Sequence, residues 1–241
     1  MLLKSVNKHI YLYYIYIMDY AFKMRNLDPF KPIDNDKNEL FIKGTESNNK
    51  TLIVSFAGVR ILKNLQFEFV NSLNNTYPNC DKLFYLDKTS HFYIDGIPPI
   101  TKSVEETTQY ISDKIKKYEK ICFIGHSAGG YAAILYGSLL NVHHIIAFVP
   151  QTNLEIREDI FNDDNIKYID LKEYINNKTK YKLIGDKTAT DINDIHCIEQ
   201  CNNIKDFDNV EIIYKEKVNM KYIRDSGELK ELILEFVNSP L

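Results

Sequence analysis

The sequence predicts an α/β protein, a mostly parallel sheet with helices on both faces, and three observations point there. From residue 120 onward short apolar runs alternate regularly with helical stretches. Those runs lack a polar alternate face, so both sides of the sheet must be covered. In one of them, ICFIGHSAGG at 121–130, an apolar strand turns directly into a helix of small residues.

Taken in order, the first candidate strand is the tyrosine-rich IYLYYIYI within MLLKSVNKHIYLYYIYIM. Two lysines precede it, as in a signal peptide. The run is far short of the roughly 20 residues that span a bilayer, no small-residue cleavage site follows, and its tyrosines suit a strand. A short membrane-surface anchor is the alternative. The proline-containing DPFKPIDNDKN is a loop, and residues 1–38 form a peripheral part of a single domain spanning 1–241. ELFIK (39–43) and TLIVSF (51–56) are strands flanking the turn-forming TESNNK. Leu62, Leu65, Phe67, Val70 and Leu73 share one helical face over 62–74. KLFYL (82–86) is a strand. SVEETTQYISDKIKK (103–117) is a helix with a serine cap, a glutamate three positions on and lysines at its end, which suits the helix dipole. Strands follow at 120–125, 144–149, 181–185 and 210–215, with helices at 127–140, 171–176, 191–201 and 226–237 between and after them. Right-handed crossovers then join parallel strands.

Composition sets limits. The 241 residues are 44% hydrophobic and 26% charged, with a formal net charge of -3, ordinary values for a globular domain. Lysine and arginine are scattered rather than striped, which argues against nucleic acid as a partner. No transmembrane span is expected. The four cysteines (Cys80, Cys122, Cys197, Cys201) form no CxxC pair, so a reducing, cytoplasmic setting is the expectation. His196, Cys197 and Cys201 are near helical spacing but lack a fourth ligand, so no metal is assigned. No cofactor is expected either.

Gly125-His126-Ser127-Ala128-Gly129 has the form GxSxG. By residue frequency alone a chain of this length shows one on the order of 0.1 times; the strand before it and the helix after it add weight. On a sharp strand-to-helix turn Ser127 is strained and its hydroxyl is lifted from the sheet edge, while side chains at 125 and 129 would strike the neighbouring elements. A glycine-rich turn that merely packs a helix on a strand is the plain alternative.

This elbow, together with Phe92-Tyr93-Ile94-Asp95-Gly96, Pro150-Gln151-Thr152 and Arg224-Asp225-Ser226-Gly227, resembles α/β-hydrolase-like proteins associated with bacterial capsular polysaccharide and glycosyltransferase systems, over roughly residues 50 to 235. The resemblance implies the α/β-hydrolase fold, with Ser127 as nucleophile. It places the oxyanion donors at the backbone N–H of Ala128 and in the loop of Ala57, Gly58 and Val59. It puts the acid after strand 181–185, at Asp191 with Asp194 behind it. Asp186 could instead cap that loop, and a helix N-cap is the plain role of Asp191.

The same fold expects a histidine in the loop after the last strand. That loop, EKVNMKYIRDSG, has none, and Val218 stands before Asn219 where the family often carries it. Of the six histidines, His9 lies by the N-terminal strand, His126 should direct its side chain away from the serine's chemistry, and His143 and His144 begin a strand at the wrong sheet edge. His91, at the correct edge after strand 82–86, ranks first as a substitute base and His196 second; an ordinary surface or packing role is the default reading of both. Two functions follow. One is a serine hydrolase of esterase or deacylase type working through an acyl-enzyme on Ser127, on a small-molecule or glycan acyl substrate. The other is a degenerate hydrolase fold that binds a ligand or partner protein in polysaccharide modification. A surface-anchored interaction protein using the tyrosine-rich N-terminus ranks third.

Overall fold

A computed structural model describes residues 37–46, 48, 50–59, 66–155 and 167–239. The expected N-terminal strand lies outside the described residues, as does the first part of the expected helix at 62–74. The apolar runs pair into one seven-stranded sheet among the described residues: β1 (Glu39–Ile42), β2 (Thr51–Phe56), β3 (Asp81–Tyr85), β4 (Lys120–His126), β5 (His144–Phe148), β6 (Lys180–Asp186) and β7 (Val210–Lys215). Their spatial order is β1-β3-β2-β4-β5-β6-β7. Only β1, at the edge, runs antiparallel to its neighbour; every other pairing is parallel.

Both faces of the central strands are dry, as their continuous apolar sequences require. Phe56, Phe123, Ala147 and Leu183 point into one cluster, while Ile53, Cys122, Ile124, Phe148 and Ile184 point into the other. The helices are α1 (Val70–Thr76), α2 (Val104–Ile115), α3 (Ala128–Leu140), α4 (Ile198–Asn202), α5 (Met220–Asp225) and α6 (Glu228–Asn238). Helix α3 lies on the first face and is buried from Ala128 through Ser138, which explains why it is apolar all round. Helix α6 covers the second face with Leu229, Ile233 and Phe236. Helix α2 begins as expected: Ser103 accepts from Glu106 N at 3.1 Å. The returning Glu106 carboxylate accepts from Lys102 N, one residue earlier than in the standard capping box.

Three expected helices differ, each for a local reason. Over 191–201 only Ile198–Asn202 is helical. Asp191 and Asp194 turn their carboxylates onto the amides of Asn193 and His196 instead, and such side-chain turns compete with the helix. The closing helix, by contrast, stands where expected, at Glu228–Asn238; the loop before it holds the unexpected α5, and Gly227, with φ 85°, separates the two. The described part of 62–74 becomes helical only from Val70, because Phe69 sits in the left-handed region with φ 62°. The expected helix at 171–176 is a single 3₁₀ turn, Leu171–Tyr174, capped by Asp170.

His144 opens β5 at the sheet edge opposite Ser127 and is 1% exposed, its ring edge-on to Phe236 with centroids 5.1 Å apart. Burial, assisted by Lys120 and Lys180, pushes its pKa down to about 4. The unfolded chain protonates this residue near pH 6.5, whereas the fold resists doing so until near pH 4. Stability is therefore expected to fall as pH drops through that window, by up to about 3 kcal/mol from this one group. Denaturation at pH 7 and pH 4.5 checks this: His144→Leu should lose measurably less stability on acidification than the wild type.

Candidate active site

Strand β4 ends at His126 and α3 begins at Ala128, so Ser127 alone makes the turn, with φ 55° and ψ -124°. A non-glycine residue adopts such a conformation only when its surroundings over-determine it. Here Ser127 N donates to Phe148 O at 2.9 Å, continuing the β4–β5 ladder, and Ser127 O accepts from Tyr131 N at 3.0 Å, starting the helix. The side chain makes no cap bond, so the hydroxyl is left to face the sheet edge. The flanking glycines are steric necessities. A Cβ on Gly125 would come within 1.9 Å of Gly129 O, and one on Gly129 within 2.1 Å of Phe56 O.

An imidazole meets that hydroxyl. Ser127 Oγ lies 2.8 Å from His196 Nε2. His196 belongs to the loop after β6, the penultimate strand, rather than to the loop after β7. With its proton on Nδ1, Nε2 accepts the serine hydroxyl hydrogen. Asp194 Oδ1 accepts from His196 N at 2.8 Å and stands 3.8 Å from His196 Nδ1. The ring of His126 lies nearly parallel to that of His196, 12° between planes and 6.4 Å between centroids. The sequence expectation is that His126 directs its side chain away from the serine's chemistry; its ring stacks beside His196 and its Nδ1 stands 3.8 Å from Glu68 Oε2.

The loop carrying His196 is laced to the loop after β5. Gln151, fully buried, places Oε1 3.5 Å from Ser127 Oγ and donates through Nε2 to Ile195 O at 3.1 Å. Gln200 accepts from Thr152 N at 2.7 Å and Asn153 N at 2.9 Å, and returns a bond to Asn153 O. The Thr152 hydroxyl donates to Gln200 O. Pro150-Gln151-Thr152 is therefore the strap that seats the histidine loop against the elbow.

The other sequence candidates go elsewhere. His91 Nδ1 is 2.6 Å from Asp95 Oδ2, on the segment after β3. Asp191 hydrogen-bonds Asn193 N and Nδ2, which holds its carboxyl below the usual range; these bonds direct it to its own turn rather than to His196. Asp186, at the end of β6, accepts from Thr188 and from Val218 N at 2.8 Å. Partial burial acts to raise its pKa, but the donated hydrogen bonds outweigh it and leave the carboxyl below the ordinary value. Val218, the residue before Asn219, thus offers Asp186 a main-chain N–H. Ala128 is buried as the first residue of α3, where a helix has no internal acceptor for its N–H. Gly58 abuts the elbow: a Cβ there would lie 3.6 Å from Ser127 Cβ. Its N–H donates to Glu68 Oε2 at 3.2 Å. Val59 packs against the first core cluster.

Sequence reasoning singled out Gln151 only as part of a motif, without a role, and missed Gln200 and Glu68. The Asp-x-His spacing of Asp194 and His196 in a loop at the strand-end edge was the available signal for that pair. Among the described residues no group of three or more His, Cys, Asp or Glu side chains is placed to hold a metal. Cys197 and Cys201 are buried, and burial pushes the Cys201 thiol up to about 12, which keeps it protonated. Among the described residues no helix is long and apolar enough to cross a membrane.

No protein-family model and no curated protein matches the chain. Solved structures do. The capsule O-acetyltransferase of Neisseria meningitidis serogroup A, in complex with caged gadolinium, superposes with a TM-score of 0.62 at 18% identity, over 88% of this chain and 99% of that one. The Staphylococcus aureus fluorophosphonate-binding serine hydrolase F matches with a TM-score of 0.56 at 12% identity, over 88% and 91%. The glycosylation-associated Gap123 complex of Streptococcus agalactiae matches with a TM-score of 0.54 at 17% identity, over 83% of this chain and 44% of that one. At these identities the likeness is one of fold.

Proposed function

We propose that this chain, which has the α/β-hydrolase fold, is an acyl-transfer enzyme of esterase or deacylase type that forms an acyl-enzyme on Ser127. The observation carrying the proposal is the 2.8 Å separation of Ser127 Oγ and His196 Nε2. A general base must be within such reach of the proton it removes.

In the first half-reaction His196 Nε2 takes the hydroxyl proton as Ser127 Oγ attacks the acyl carbonyl. The resulting imidazolium faces Asp194, whose negative charge favours it. The carbonyl oxygen becomes an oxyanion held by the N–H of Ala128 and by a second N–H from the loop at 57–59. Collapse breaks the bond to the leaving alcohol, which receives the proton from His196, and leaves the acyl ester on Ser127. In the second half-reaction a water or acceptor hydroxyl gives its proton to His196 and attacks the ester; collapse breaks the bond to Ser127 Oγ, which takes that proton back from His196, and frees the acid or the acylated acceptor. An acyl group on a sugar hydroxyl is the proposed substrate class, supported by the capsule and glycosylation proteins among the similar folds. A cytoplasmic setting and a partner protein belong to the same proposal.

A fluorophosphonate probe tests it. The folded wild type should label stoichiometrically and Ser127→Ala should not label. A folded wild type that stays unlabelled overturns the proposal in favour of a binding protein built on a disused hydrolase fold.

A further inference from the structure

The peptide unit joining Ala57 to Gly58 is held at both of its polar atoms by side chains from different segments. Its carbonyl accepts from the Tyr93 hydroxyl at 2.8 Å, and its N–H donates to Glu68 Oε2 at 3.2 Å. Just upstream, Ala57 N donates to Tyr85 O at 3.1 Å. The chain leaving β2 is therefore fixed in orientation up to Gly58, and Gly58 presses against the elbow itself, where a Cβ would come within 2.8 Å of His126 O. The next N–H is that of Val59.

We infer that Tyr93 and Glu68 are positioning residues, which by clamping the Ala57–Gly58 peptide present the N–H of Val59, and not that of Gly58, as the second oxyanion donor beside Ala128. This rests on the acyl-enzyme reading of Ser127. Gly58 N–H already donates to the Glu68 carboxylate, and an N–H shared with that negative charge is a poorer donor to a developing oxyanion than one without such a partner. Fixing the plane of one peptide restricts the direction of the next, which is how a donor is preorganised without a side chain of its own.

Both clamping residues are themselves held. Tyr93 is fully buried; its N–H donates to Asp87 Oδ2 at 3.0 Å and its carbonyl accepts from the Tyr136 hydroxyl at 2.7 Å. Its segment is strained, with Ser90, Phe92 and Tyr93 at φ 59°, 57° and 61°, and such strain persists where surrounding bonds over-determine it. Glu68 is only 9% exposed at its side chain, its carbonyl accepts from Ser55 Oγ at 3.0 Å, and Oε2 stands 3.8 Å from His126 Nδ1. The motif Phe92-Tyr93-Ile94-Asp95-Gly96 thereby acquires a role: it braces the oxyanion loop from below.

The test uses the full chain with p-nitrophenyl acetate as substrate, a trifluoromethyl ketone whose serine adduct carries an oxyanion, and the fluorophosphonate probe. Tyr93→Phe and Glu68→Ala should lower kcat about 10- to 100-fold with KM nearly unchanged, and weaken the ketone by the same factor, while labelling stays complete but slower. Glu68→Gln keeps an acceptor for Gly58 N–H and should restore most of that loss. Replacing Val59 by α-hydroxyisovaleric acid, which deletes its N–H, should cost about 10²–10³ in kcat; glycolic acid at position 58 should cost no more than Glu68→Ala. A wild type that labels, with folded Glu68→Ala and ester-59 proteins that keep wild-type kcat and ketone affinity, overturns the inference alone. A wild type that never labels overturns it together with the acyl-enzyme reading.

Discussion

Replacing His196 by alanine is expected to lower kcat on an activated acetyl ester by about 10⁴- to 10⁶-fold while leaving the protein folded. The magnitude follows from how the elements of such a site act as a unit. Without a base the serine hydroxyl remains a weak nucleophile, and what survives is the contribution of the oxyanion donors and of binding, about 10³–10⁴ over water. Folding should be spared, because the loop is held by main-chain and glutamine bonds. Gln151 grips Ile195 O, and Gln200 grips Thr152 and Asn153; neither set uses the imidazole. His91→Ala is the comparison. It removes the ring paired with Asp95 and should change kcat less than about threefold, because a surface pair of this kind contributes little. Steady-state rates on p-nitrophenyl acetate, with circular dichroism to verify folding, check both. If His91→Ala abolished turnover and His196→Ala did not, the assignment of the base would be reversed.

Gly125→Ala is expected to be the most damaging single substitution for stability near the site, costing about 3 kcal/mol or more. The added Cβ would lie 1.9 Å from Gly129 O, 2.2 Å from Gly129 C and 2.6 Å from Gly130 N. All three are main-chain atoms of the first turn of α3, so no side-chain rotation relieves the overlap. The helix must move off β4, and since α3 is buried along most of its length, that movement opens the core. Gly227→Ala makes a useful contrast. Its φ of 85° also disfavours a side chain, but nothing lies within 4 Å of the added atom. Only the left-handed penalty remains, about 1–2 kcal/mol. Urea midpoints for the two variants should separate in that order.

The strand pattern, the sheet's burial on both faces and the elbow were legible in the chain because each has a local physical signature. Continuous apolar runs announce strands covered on both sides, and Gly-x-Ser-x-Gly between such a run and a small-residue helix announces a turn too tight for larger side chains. Boundaries failed where a local competitor acted: the carboxylates of Asp191 and Asp194 capture main-chain amides and replace the first turns of an expected helix. The closing helix stands within two residues of its expected bounds, at Glu228–Asn238; the short α5 ahead of it, cut off by the positive φ of Gly227, was not foreseen.

The choice of imidazole was of another kind. His91 follows β3 and His196 follows β6, and in the sheet each of these strands is two places from β4. Proximity in strand order therefore does not separate them. Separation comes from which way each loop turns, and that depends on bonds between residues far apart in sequence: Gln151 to Ile195 and Gln200 to Thr152 draw His196 toward Ser127, whereas His91 is paired with Asp95 four residues away. By itself, then, the sequence determined the layered parallel architecture and the position of the strained serine, because hydrophobic period and steric exclusion act over a few neighbouring residues. Only the tertiary structure decided which histidine reaches that serine, because that outcome rests on hydrogen bonds that exist once distant loops have been brought to the same sheet edge.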